Sequence, residues 1–149
     1  MTTLLEKFYE QDYYLWLMKN VALVREGRFS EADFGNIAEE LESMGKSEKR
    51  ALGSRLAVLL SHLLKWRFEP ERRSNSWKYT IIEQRRKIRE LLSDSPSLRH
   101  ELDKKFAYAY ESALIKAAKE TGMDMASFPQ NCPFSLKEVM DKSFFGDTD

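Results

Sequence analysis

The sequence is poor in everything that would tie it to an oxidising or membrane setting. One cysteine, Cys132, stands among 149 residues, which excludes an intramolecular disulfide and fits a reducing compartment. No run approaches the roughly 20 apolar residues that cross a bilayer. The first residues lack the basic, apolar and small-residue order of a secretory leader, because Leu4 and Leu5 are followed at once by Glu6 and Lys7. A soluble protein with a cytoplasmic address and no membrane partner is therefore expected. Net charge is also missing: 24 basic side chains cancel 24 acidic ones, so a global pull toward nucleic acid or an anionic surface is not expected. Repeats and low-complexity tracts are absent as well.

Glycine and proline are sparse, six and four, and the long stretches between them carry the 3.6-residue period of amphipathic helices. A first helix is predicted from about Leu4 to Glu26, with Tyr9, Tyr13, Trp16, Leu23 and Val24 on one side and Gly27 as its stop. Ser30 with Asp33 reads as a start, after which Phe34, Ile37, Ala38 and Leu41 open a new stripe. Leu52 lies five full turns beyond Phe34, and Leu56, Leu59, Leu60 and Leu63 continue in phase. One long second helix from about Glu31 to Phe68, weak at Gly45 and closed by Pro70, is preferred to two.

A third helix should begin near Ser74 or Ser76 and turn Trp77, Ile81, Ile88, Leu91 and Leu92 inward. Ser95 followed by Pro96 starts a fourth, over Leu98, Leu102, Phe106, Ala109, Ala113 and Ala117, which Gly122 ends. Phe128 to Pro133 is a loop, and Ser135 with Glu138 forms a capping box for a short last helix. The expected fold is all-α, an antiparallel bundle of about four helices with a long second helix and a short C-terminal helix. A chain of this length buries about 68 to 70% of its unfolded surface, so residues 1–149 are read as one domain, with 143–149 a flexible tail.

These residues form words that appear together elsewhere. Tyr9, Asp12, Tyr13 and Trp16, then Glu39 to Gly45, then His62 to Trp66 with Pro70 open the pattern. Ser76, Trp77 and Arg85, then Asp94 to Leu98, then Phe128, Pro129, Cys132 and Pro133 complete it. In that order they resemble domain-of-unknown-function family twenty-nine over nearly the whole chain, although Glu69 stands where many members carry an amide. The resemblance implies a helical bacterial protein and supplies no activity.

Familiar chemistries fail on spacing. Gly45, Lys46 and Ser47 mimic the end of a phosphate-binding loop, but the position five before Gly45 holds Glu40 on a helix. A di-metal bundle site needs Glu-x-x-His pairs, and Leu59 and Ser97 precede His62 and His100 at that spacing. Cys132 has no neighbouring histidine or lysine to activate it, and no serine elbow occurs. No catalytic, cofactor-binding or metal-binding residue is assigned, and no cofactor is expected.

Polar residues that share apolar stripes are more informative. Gln84 and Arg85 fall among Ile81, Ile88 and Leu91, Asn20 falls between Trp16 and Leu23, and Asp12 sits at the edge of that stripe. A buried guanidinium needs a partner, so Arg85 is expected to meet Asp12 or Glu42. Asp12, Asn20, Glu42, His62, Gln84 and Arg85 form the candidate polar cluster, either fixing helix register or lining a ligand pocket. A second candidate is a basic surface of Arg72, Arg73, Lys78, Arg86 and Arg89 for nucleic acid or an acidic partner. Leu15, Met18, Ile82, Leu114 and Ile115 miss every stripe, and a contiguous exposed patch would mark a protein interface. A non-catalytic interaction module, with a protein partner or a homodimer, leads the functional expectations; a small-molecule binder or enzyme follows, and weak nucleic-acid binding is third.

Overall fold

Asp12 ends one helix and starts the next, so the predicted first helix is two. The computed structural model of the protein describes residues 1–147 and contains six α-helices: α1 Leu4–Gln11, α2 Tyr13–Arg25, α3 Phe34–Phe68, α4 Asn75–Asp94, α5 Arg99–Thr121 and α6 Leu136–Met140. Short 3-10 turns occupy Phe29–Glu31, Pro70–Arg72, Pro96–Leu98 and Met125–Ser127. No strand occurs among the described residues, and the fold is an all-α bundle. No helix among the described residues is long and apolar enough to cross a membrane.

The helix ends follow local chemistry. Thr3 and Glu6 cap α1 reciprocally, and Ser135 and Glu138 do the same for α6. Ser74 accepts the Trp77 N–H at the start of α4. Gly122 closes α5 in the left-handed region, φ 74°, where only glycine is unstrained. Asp12 is extended, φ −151° and ψ 80°, and its carboxylate accepts the Leu15 N–H at 3.1 Å. A continuous apolar phase through Tyr9, Tyr13 and Trp16 hides this break from a periodicity argument.

The long helix is the third element rather than the second. It begins at Phe34, because Asp33 supplies the cap by accepting the Asn36 N–H, while Ser30 and Glu31 lie in the preceding 3-10 turn. It runs unbroken through Gly45 to Phe68, as the phase of Phe34 and Leu52 predicts.

The contacts gather into two compact units, Met1–Ser47 and Glu48–Asp149. The larger unit holds the apolar core. Leu52, Leu56, Leu59, Leu60, Leu63 and Leu64 of α3 pack with Ile81, Ile88 and Leu92 of α4, and with Leu102, Ala109, Ala113 and Ala117 of α5. Phe128, Phe134 and Val139 complete it. Each of these large side chains gains about 1.5–3 kcal/mol by leaving water, and truncating a fully buried one such as Leu60 to alanine costs about 2–5 kcal/mol. In the smaller unit Trp16 is the one buried hydrophobic side chain, beside buried Asn20 and Asp33.

The segment expected to have little to order it has packing partners up to Asp147. Phe144 meets Phe134 edge to face, Phe145 lies 5.6 Å from Trp66, and Arg73 pairs with Asp147 at 2.7 Å. Residues 148 and 149 of the expected flexible tail lie outside the described residues.

Candidate functional site

Phase alone places Arg85 in the core, and the residue is 1% exposed. The carboxylate partner expected for it is replaced by main-chain oxygens. Nε donates to the Val139 carbonyl at 2.6 Å, Nη1 to that of Lys142 at 3.4 Å, and Nη2 to that of Phe144. One turn on, Arg89 donates to the Met140 carbonyl at 2.8 Å. Carbonyls released by the end of α6 are thus satisfied by charged donors, a strong type of hydrogen bond. Burial, with the charge of Arg89 added, pushes the Arg85 pKa down to about 10, while Asp141 works against that shift.

The remaining members of the predicted polar cluster have separate partners. Gln84 is half-buried and accepts from Arg55 at 3.4 Å. Asp12 is exposed and caps α2, and Glu42 is exposed on α3. Asn20 is buried, donating to the Trp16 carbonyl at 2.8 Å and accepting the Asp33 N–H at 2.9 Å. Asp33 in turn accepts the Trp16 indole N–H at 2.9 Å and the Asn36 amide at 2.8 Å. Burial raises the Asp33 carboxyl, but these donors outweigh it and the net shift is downward. Asp12, Asn20 and Glu42 belong to the smaller unit, and His62, Gln84 and Arg85 to the larger.

His62 belongs to a group whose other members sequence reasoning missed. Its Nδ1 lies 2.9 Å from the Val58 carbonyl, so that nitrogen carries the proton and Nε2 keeps its lone pair. Lys65 Nζ sits 3.4 Å from that Nε2, donates to the Glu120 carboxylate, and lies 5.0 Å over the Trp77 ring. Burial lowers the His62 pKa, and the Lys65 charge lowers it further. Burial raises the Glu120 carboxyl, but Lys65 together with the charges of His62 and Lys116 outweighs it, and the net shift is downward. Lys65 is buried because α3 is enclosed on a second face, marked in the sequence by Ala57, Ser61 and Lys65 four residues apart. A lysine held by a carboxylate is poorly placed as a nucleophile, so the group reads as a neutral histidine locked beside an ion pair.

The predicted basic surface is partly spent on local pairs. Arg72 meets Glu69 at 3.2 Å, Arg73 meets Asp147 and stacks over Trp66, and Arg86 meets Glu90 at 2.6 Å. Arg89 reaches a carbonyl, and Lys78 is exposed. Cys132 is half-buried, donates its thiol to the Phe134 carbonyl, and has its pKa raised by burial. Among the described residues no group of three or more His, Cys, Asp or Glu is placed to hold a metal ion.

The smaller unit presents a different surface. α2 and the first turns of α3 wall a groove of about 420 Å³ lined by Leu17, Val21, Val24, Ile37, Leu41 and Met44. Leu41 and Met44 are each 63% exposed. Tyr13, Tyr14 and Met18 of α2 are exposed as well. At one wall Tyr9 and Tyr13 both donate their hydroxyls to the Glu40 carboxylate, which lowers its pKa. Of the residues that missed every stripe, Met18, Ile82 and Ile115 are exposed and Leu15 and Leu114 are half-buried.

Comparison with known proteins yields no match among curated proteins and none among solved structures. A family model, the domain of unknown function DUF29, matches residues 8–145 and so takes in the two tyrosines on Glu40, the Lys65 group and the Arg85 anchor. The chain belongs to the DUF29 family.

Proposed function

We propose that the protein is a non-catalytic interaction module whose smaller unit takes up a basic amphipathic helix of a partner protein. The observation that carries this reading is α2. Apart from the hydroxyls of Tyr13 and Tyr14, only Lys19, Asn20 and Arg25 are polar among its 13 residues, and a helix this apolar is normally buried over most of its surface. Yet Trp16 and Asn20 are its only buried residues. The neighbouring groove has the form that an amphipathic helix fills with residues at i, i+3, i+4 and i+7.

Charge selects the kind of helix. Residues 1–47 carry nine acidic side chains against five basic ones, so lysines and arginines flanking an apolar stripe would be attracted and steered. A second copy of this unit would bring the same acidic surplus. The engaged state of the polar groups elsewhere supports a non-catalytic reading: Lys65 is held by Glu120, Arg85 by carbonyls, and Cys132 is burial-shifted away from thiolate.

Calorimetric titration of the full chain with a synthetic leucine–lysine helix tests this. Saturable one-to-one binding is expected, weakened about tenfold or more for a leucine–glutamate helix of the same apolar face and by Leu41→Gln. Equal binding of both peptides, or none, overturns the proposal. A concentration-dependent dimer in sedimentation, lost in Leu41→Gln, assigns the face to a second copy and overturns the basic-helix occupant.

A further inference from the structure

We propose that the cleft formed by α4 and the segment following α6 is a binding site for a phosphate-type oxyanion. Ile82, Arg85, Arg86, Arg89 and Lys142 line a cavity of about 380 Å³, with four cationic side chains and no acidic one. This site is independent of the groove in the smaller unit.

The cations are not equivalent. Arg86 is neutralised by Glu90 on the outer surface. Arg85 and Arg89 have no carboxylate within ion-pair distance among the described residues, and their hydrogen bonds go to the carbonyls of Val139, Met140, Lys142 and Phe144. A guanidinium has five N–H donors. Arg89, half-buried, commits one to the chain and keeps the others for a ligand, while Arg85, 1% exposed, commits all three of its nitrogens to the chain and adds its charge from behind. Asp141 accepts the N–H and hydroxyl of Ser143 and acts on the two arginines through its field.

Two like charges one helical turn apart, one of them fully buried, repel each other and lack a counter-ion. Burying charge without one is costly, and a bound oxyanion removes both penalties. The planar guanidinium fork of Arg89 matches a tetrahedral phosphate in a two-point contact, and exposed Lys142 adds a point charge. Ile82 supplies an apolar wall, which a carbon-bearing phosphate monoester would use and free phosphate would not.

The test is titration of the full chain with inorganic phosphate at constant ionic strength balanced by chloride. Saturable binding is expected, with shifts confined to the side-chain Nε resonances of Arg85 and Arg89. Lys142→Gln leaves the carbonyl that Arg85 uses and lies on an exposed side chain, so it keeps the fold. Combined with Arg89→Gln it is expected to weaken phosphate binding about tenfold or more; should the double variant unfold, Lys142→Gln alone is expected to weaken it severalfold. A parallel titration with glycerol phosphate separates the sources, since tighter binding than inorganic phosphate identifies a monoester and the reverse identifies the free anion. A response that chloride reproduces, or one unchanged in the folded variants, overturns the proposal. So does an affinity for single-stranded oligonucleotide that climbs with length, which would make the cleft part of a nucleic-acid surface.

Discussion

Arg85 holds Phe144 by its backbone rather than by its ring: Nη2 donates to the Phe144 carbonyl, and the guanidinium lies 5.7 Å from the ring of the next residue, Phe145. One buried side chain thereby fastens three carbonyls spread from Val139 to Phe144. Arg85→Met keeps the bulk but leaves those oxygens without donors. A loss of about 2–4 kcal/mol is expected, read by urea unfolding, with faster amide exchange in residues 143–147. Unchanged stability and exchange would show that the segment is held by its aromatic contacts alone.

Gly146 makes a sharper demand on the same segment. Its φ is +89°, and a Cβ there would stand 2.7 Å from the Leu63 carbonyl oxygen. Gly146→Ala is therefore strained in backbone and in contact at once, with an expected cost of about 1–3 kcal/mol. A thermal melt of the variant checks this, and a melt matching the parent would contradict the close approach.

Gly45 predicts the opposite sign. It lies inside α3 without positive φ, and a Cβ would meet nothing within 4 Å. Gly45→Ala should raise stability by about 0.5–1 kcal/mol through helix propensity. Destabilisation in a urea titration would mean that the helix breaks there after all.

His62 sets a pH dependence. Its folded pKa lies below the ordinary 6.5, so the unfolded chain binds the proton more readily. The stabilisation from the neutral ring is whole above that ordinary value and is lost as pH falls through the lowered folded one. Melting temperatures between about pH 7.5 and about pH 5.5 should fall in the parent and fall less in His62→Gln. Glu120, Asp33 and Glu40 are shifted downward from ordinary carboxylate values and lose their share only at lower pH. Parallel slopes for parent and variant would contradict the shift.

What the sequence disclosed and what it hid have separate physical causes. Caps and stops act over a few residues, so Ser74, Gly122 and the Ser135–Glu138 box were legible, as was the unbroken phase from Phe34 to Leu52. The break at Asp12 was not, because the stripe keeps its phase across it. The burial of Arg85 followed from helical period, but its partners did not: a main-chain carbonyl has no sequence signature, and charge logic pointed to a carboxylate instead. The burial of Lys65 has no such signal, because a helix enclosed on two faces no longer sorts polar from apolar by a single stripe. The phase of Trp16 and Leu23 points Asn20 inward, where it is buried, while Asp33, whose N–H it accepts, carries only the local signal of a helix start.

In the proposed function the apolar residues of α2 and the start of α3 serve a partner and not the chain's own packing. The direct measurement is the melting temperature and leucine–lysine helix affinity of a Leu41→Gln, Met44→Gln double variant, taken side by side. A melting temperature within about two degrees of the parent's together with abolished binding is the predicted result. A large drop in melting temperature would mean that these side chains hold the fold together, and retained binding would place the docking surface elsewhere.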